Sequence, residues 1–192
     1  NGLAVLKDIH FRIEKGERVS LIGPGGSGKT TILKCLLGIV KKDRGETRID
    51  DIDLNQVTEQ KRQSVLKKVG MAFQQGGLFD FMTVRQNILF AMENMTSFDE
   101  QKKSDKIKLL LQTVKLPQVE NMFPHELSGG MQRRVGIARA LCTEPSIAFF
   151  DEPTAGLDPV TSTIILNMIS ELGAHNKDST LLTVTSNVEI AI

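Results

Sequence analysis

The 192-residue chain has no tryptophan and no tyrosine, against nine phenylalanines. Cysteine is scarce as well: Cys35 and Cys142 are too few and too far apart for a disulfide framework, and they lack metal-ligand spacing. Both read as packing residues in a reduced, cytosolic compartment. Apolar runs are short; residues 147–150 are typical, far from the ~20 that a spanning helix needs. The opening Asn1-Gly2-Leu3 has neither an initiator methionine nor a basic stretch leading into an apolar one, so a trimmed chain is expected and a secretory signal is not. Excess charge is also missing, with 24 Lys and Arg against 23 Asp and Glu and a net of +1. That balance does not favour nucleic acid or an anionic membrane surface as the main partner. At 40% hydrophobic and 24% charged, the chain can bury a core and is too apolar for disorder. One domain is expected at this length.

What is present alternates between strand and helix signals. Leu3, Val5, Ile9, Phe11 and Ile13 share one parity and suggest an opening strand, and residues 19–22 suggest a second. Helices are expected over 31–37, 59–69, 131–141 and 160–172, the last with Ile164, Ile165, Met168, Ile169 and Leu172 on one face. Further strands are expected at 46–52 with a turn near Asp50-Asp51, from 71 onward, at 147–150 and at 181–185. Between 83 and 116 the apolar spacing is helical throughout, as at Ile107, Leu110, Leu111 and Val114. This pattern predicts an α/β fold with a parallel sheet, interrupted by a helical insert.

Gly23-Pro24-Gly25-Gly26-Ser27-Gly28-Lys29-Thr30, followed by Thr31, fits G-x-x-x-x-G-K-[ST] between a strand and a helix. Glycines let consecutive N–H groups curl toward phosphate oxygens, and the helix N-terminus adds its dipole. Lys29 suits the β and γ phosphates, and the Thr30 hydroxyl suits Mg²⁺. Gly23, Gly25 and Gly28 also satisfy the dinucleotide pattern G-x-G-x-x-G, with Asp43 or Glu46 as its acid. The Lys29-Thr30 pair favours the triphosphate. Further on, apolar residues 147–150 run into Asp151-Glu152. A carboxylate at a strand's C-terminal edge sits near the phosphate loop in such sheets. Asp151 is therefore expected to bind Mg²⁺, and Glu152 to orient or deprotonate the attacking water.

Leu127-Ser128-Gly129-Gly130-Met131-Gln132 closely matches L-S-G-G-Q, the signature of ATP-binding cassette (ABC) ATPases, with Met131 at the fifth position. With both phosphate-site motifs in order, the chain resembles that family over almost its whole length. The resemblance implies a P-loop NTPase (RecA-like) core over 1–74 and 131–192, with a mainly parallel sheet and an N-terminal antiparallel β part. It places an inserted α-helical signature subdomain at 75–130. It implies ATP and Mg²⁺ as ligands, Gln74 as the Q-loop glutamine near Mg²⁺ and the attacking water, and Asp158 in a D-loop directed at a partner subunit. It also implies a head-to-tail homodimer on ATP binding, in which Ser128, Gly129, Gly130, Met131 and Gln132 face the ATP of the other subunit. Exposed N–H groups at the start of the helix after Ser128 suit that second anion site. A membrane permease is implied as partner through a coupling helix near the Q-loop, where Phe73, Phe79, Phe81 and Phe90 gather. Core packing is expected for at least half of those four. A periplasmic substrate-binding protein is a further implied partner and nucleic acid is not, with the chain peripheral on the cytoplasmic face of the membrane. Complete domains of the family are generally longer and open on a strand whose aromatic residue stacks on adenine, so the absent tyrosine reads as chain missing at both ends.

The pattern breaks at one position. The family's switch histidine follows the last strand, and Val184-Thr185-Ser186-Asn187 places Ser186 there. His10, His125 and His175 lie elsewhere and read as structural or exposed. Serine is shorter than imidazole and cannot become a cation near neutral pH, which predicts slow turnover at an otherwise complete site. Arg133, Arg134 and Arg139 read as a solvated helix face with no catalytic role. Residues 73–84 and 151–162 look most like Mla-type ATPases, which energise phospholipid or organic-solvent traffic, and polar amino-acid importers share much of the pattern. Gln74 and Ser128 are too close in sequence to hold the long coiled coil of DNA-repair relatives. A single phosphate loop argues against the two-cassette translation type.

Overall fold

A computed structural model of the chain describes residues 5–95, 97–175 and 178–187. The elements in chain order are β1 (Arg18–Ile22), α1 (Lys29–Leu36), β2 (Arg48–Ile49), β3 (Ile52–Asp53), α2 (Glu59–Leu66) and β4 (Val69–Ala72). They continue with α3 (Val84–Met95), α4 (Glu100–Thr113), a 3-10 turn (Pro124–Glu126), α5 (Gly129–Leu141), β5 (Ile147–Asp151), α6 (Pro159–His175) and β6 (Thr180–Thr185).

The short apolar runs become strands because both of their faces find cover. The main sheet has the order β1-β6-β5-β4, and every pairing in it is parallel. Side chains alternate across such a sheet. Phe149 accordingly packs with Leu33, Val65 and Leu182 on the side of α1 and α2, while Phe150 packs with Ile88, Ile137 and Ile165 on the side of α3, α5 and α6. Burying a phenylalanine of this kind contributes about 2–3 kcal/mol. Strands apolar on both faces, sandwiched between helical layers, are what a parallel sheet requires. The fold is thus the expected α/β P-loop type. In the helical insert, α4 is capped by Asp99, whose carboxylate accepts the Lys102 N–H at 2.7 Å, and buries Ile107, Leu110 and Leu111.

One expectation is met and another is overturned. The antiparallel pair is formed by β2 and β3, joined at Asp50 and Asp51, whose φ values of 50° and 60° are those of a tight hairpin turn. Residues 5–13 form no strand, and Val5, Ile9 and Phe11 are exposed. An extended segment needs hydrogen bonds to a neighbour, and no described strand lies beside this one. Leu3 and the side chains of Leu172 and His175 fall outside the described residues. Among the described residues no helix is long and apolar enough to cross a membrane.

Candidate nucleotide site

The C-terminal ends of the four parallel strands lie side by side, and each is followed by a residue expected in the site. β1 leads into Gly23, β5 into Glu152, β6 into Ser186, and β4 toward Gln74. The register pairs Ile22 with Thr185 and Asp151 with Val184, so the loops leave the sheet at the same level. The crevice beyond the carboxyl ends of such strands is where ligands bind in open α/β sheets.

The phosphate loop is anchored by its first residue, whose N–H donates to Thr185 O at 3.2 Å. Gly28 caps α1 with a φ of 92°, a conformation that favours glycine, and its left-handed turn releases the first N–H groups of the helix. A Cβ at Gly25 or Gly26 would meet no atom within 4 Å, so the loop faces open space there. Over Gly28, by contrast, Leu6 and Val5 close in. Lys29 is 6% exposed; its Nζ donates to Gly23 O at 2.7 Å and Pro24 O at 3.0 Å and lies 3.4 Å from Glu152 Oε1. Thr31 follows within α1, half-buried.

Glu152 is the hub of the site. It has a φ of 46°, an uncommon value for a residue with a side chain, and its N–H donates to Val184 O at 2.8 Å. Its Oε2 accepts from both the Ser186 N–H, at 3.0 Å, and the Ser186 hydroxyl, at 3.2 Å. Beside it the Thr30 hydroxyl donates to Asp151 Oδ1 at 2.9 Å. Burial raises the Asp151 pKa above the usual carboxylate value, and the Thr30 bond opposes that in part. Hydroxyl and carboxylate oxygens are hard donors of the kind Mg²⁺ prefers. Among the described residues there is no group of three or more metal-ligating side chains.

The remaining expected residues lie outside this cluster. Gln74 is exposed, and its carbonyl accepts from Arg133 Nε at 2.7 Å. Ser128 caps α5 by accepting the Met131 N–H at 3.3 Å, and the space over Gly129 is open. Gly130 lies against Leu157 and Thr161 of the same chain. Gln132 spends its amide on its own loop, donating to Pro124 O and Leu127 O at 2.8 and 3.3 Å. Asp158 is exposed and accepts the Thr161 N–H at 3.0 Å, and hydrogen bonding from the Thr161 side chain, with that N–H, holds its carboxyl below the usual range. None of these contacts reaches the phosphate loop. The signature face and the phosphate loop are therefore two separate surfaces of one chain.

A family model described as "ABC transporter" matches residues 6–155. The chain belongs to that family. The ABC cassette is 38% identical over 182 residues to Protein TRIGALACTOSYLDIACYLGLYCEROL 3, chloroplastic, of Arabidopsis thaliana, covering 91% of this chain and 52% of that one. It is 37% identical to the probable ribonucleotide transport ATP-binding protein mkl of Mycobacterium leprae, covering 97% and 54%. It is equally 37% identical to the L-cystine import ATP-binding protein TcyC of Bacillus subtilis, covering 97% and 76%. The chain thus spans about half the length of the first two. Among solved structures, the dimeric post-hydrolysis state of the ATP-binding cassette MJ0796 bound to ADP and Pi superposes with a TM-score of 0.90 at 31% identity, covering 97% of this chain and 82% of that one.

One expectation about this ABC cassette is corrected. The three arginines of α5 are not a solvated face. Arg133 bonds Gln74, Arg134 Nη1 donates to Val114 O at 3.0 Å, and Arg139 donates to Gly76 O at 3.3 Å and Asn87 Oδ1 at 3.4 Å. Helix-surface spacing alone does not reveal carbonyls brought in by another segment. Gly136 was the available signal, since a glycine inside a helix costs about 1 kcal/mol relative to alanine and marks a close approach. Phe79, Phe81 and Phe90 form a partly exposed aromatic cluster with centroid separations of 5.8 and 5.3 Å, so fewer of the four are core residues than expected. His10 and His125 are exposed, the latter stacked on Phe123.

Proposed function

We propose that this chain is the ATP-binding and hydrolysing part of an ABC transporter subunit, working as a head-to-tail homodimer beneath a membrane permease. The observation that carries it is the joining of Lys29, Thr30, Asp151, Glu152 and Ser186 at one strand-end crevice. Lys29 and the N–H groups of residues 23–31 bind the phosphates, exchanging the bonds Lys29 now makes to Gly23, Pro24 and Glu152. Mg²⁺ would be held by Thr30 and Asp151 and would supply charge neutralisation at the β and γ phosphates, with Gln74 brought toward it when nucleotide binds. Glu152, released from Lys29, orients the attacking water and accepts its proton. Ser128, Gly129, Gly130, Met131 and Gln132 serve the nucleotide of the other copy, and Asp158 meets that copy. The division into a core of 1–74 and 131–192 and a signature subdomain of 75–130 belongs to the same reading.

Ser186 sets the rate. Its two donors hold Glu152 but bring no cation, so hydrolysis is slow. A Ser186→His variant of the full-length protein is expected to raise kcat for MgATP; equal turnover overturns the slow-hydrolysis reading. Failure of the parent to bind MgATP overturns the whole.

For cargo, the name of the Arabidopsis relative, which includes a galactolipid, supports a lipid or organic-solvent system of Mla type, in which a periplasmic binding protein would also take part. The L-cystine importer matches over a larger share of its own length, which favours polar amino-acid import as the second reading. On either reading the chain would work on the cytoplasmic face of a membrane. Reconstitution with the permease that co-purifies with the full-length protein, followed by phospholipid and amino-acid flux assays, separates them.

A further inference from the structure

The segment that follows β4 is bound to α5 more closely than a surface loop needs to be. Gly76 and Gly136 touch backbone to backbone: a Cβ on Gly136 would stand 2.6 Å from the Gly76 Cα and O, and a Cβ on Gly76 would stand 2.6 Å from Gln132 O. Gly76 also has a φ of 76°, so it requires glycine on both counts. Two guanidiniums close the contact, Arg133 on the Gln74 carbonyl at 2.7 Å and Arg139 on the Gly76 carbonyl at 3.3 Å.

Arg139 extends the connection. It reaches Asn87 Oδ1 at 3.4 Å and lies over the Phe79 ring, 5.7 Å from its centroid. Asn87 is fully buried and in turn accepts the Phe79 N–H at 2.8 Å, and its amide donates to the carbonyls of Phe79, Met82 and Thr83 at 3.1 Å each. The Arg139 cation is held by carbonyl and amide oxygens and a ring rather than by a carboxylate, and burial lowers its pKa from the usual guanidinium value. Desolvating a cation without a counterion is costly. Neither a lysine nor an apolar residue offers a planar fork that reaches two acceptors and a ring together.

We propose that Arg133 and Arg139 are positioning residues that tie the Gln74–Gly77 backbone to α5, so that Gln74, the aromatic surface at Phe79 and Phe81, and Ser128 at the head of α5 move as one body. The inference rests on the reading that the chain hydrolyses MgATP. The tie does not touch residues 23–31, which bind the phosphates, so its loss falls on the chemical step and not on nucleotide affinity. A misplacement of about 1 Å far from the chemistry can cost up to about 100-fold in rate.

The test is steady-state hydrolysis of MgATP by the full-length protein, its Arg133→Lys and Arg139→Lys variants and an Arg133→Ala variant. Arg133 lies at the surface of the contact, where its Nε donates to the Gln74 carbonyl, so its variants keep the question answerable should Arg139→Lys fail to fold. The expected result is a kcat about tenfold lower in each lysine variant, with KM for MgATP within about twofold of the parent. Added guanidinium chloride at non-denaturing concentration is expected to restore part of the Arg133→Ala rate. Unchanged kcat in folded Arg133 variants overturns the proposal, as does a loss carried wholly by KM. A parent that binds no MgATP overturns instead the functional reading beneath it.

Discussion

The two charged regions of this molecule are built in opposite ways. At the phosphate loop, the buried Lys29 faces the Glu152 carboxylate at 3.4 Å, with the Ser186 donors completing the carboxylate's shell. On the inner side of α5, Arg139 has no such counterion among the described residues and lies against neutral oxygens and an aromatic ring. A charge pair can be exchanged, because an incoming phosphate replaces one anion by another beside the same cation. A guanidinium bound to backbone carbonyls cannot be exchanged without dismantling the loop it holds. On the proposed reading the first region is reorganised by its ligand and the second stays as it is.

The comparison can be broken most sharply at its exchangeable end. Glu152→Gln keeps the shape and hydrogen-bonding reach but removes the negative charge, and is expected to lower kcat by about 100-fold or more while MgATP binding persists. Measuring binding by dialysis alongside turnover checks it; a variant that loses binding and turnover together would show that Glu152 is structural. At the permanent end, Gly136→Ala drives a Cβ into the Gly76 backbone. Overpacking of this kind costs about 1–3 kcal/mol. A thermal melt that leaves Tm unchanged would mean that the contact between α5 and residues 74–77 is loose.

The smallest expected effect sharpens the comparison through pH. Burial raises the Asp151 pKa, so the folded chain holds that proton more tightly than the unfolded chain does. The stability this contributes is complete below the unfolded carboxylate pKa and is lost as pH rises through the raised folded value. Asp151→Asn is therefore expected to melt higher than the parent at neutral pH without nucleotide, with the advantage shrinking as pH falls through the raised folded value and gone below about 4. Melts of both proteins across that range decide it. A parent that outlasts the variant at neutral pH would show that the Asp151 charge is compensated without a bound cation.

Much of this was legible in the chain itself. The phosphate loop, the Asp151-Glu152 pair and the signature are contiguous runs whose chemistry depends on residue type and local order, and local order survives into any fold that lets them form. The alternation of strands and helices carried the sheet class for the same reason, since Phe149 and Phe150 had to face opposite layers. The opening segment was misjudged because parity describes a strand's faces and not its partner. The three arginines were misjudged because their acceptors, the carbonyls of Gln74, Gly76 and Val114, belong to segments far away in sequence. A carbonyl is present at every residue, so no composition signal marks the ones that matter.

The three ordered motifs were settled by the sequence alone, and they pointed to the family and to the residues proposed to meet phosphate. Tertiary structure decided how those groups are held: that Ser186 turns both donors onto Glu152, that Lys29 is paired before any nucleotide arrives, and that α5 is tied to the loop after β4. The physical reason is range. A motif's chemistry is encoded within a few residues, whereas the bonds that aim it join residues brought together only when the sheet closes.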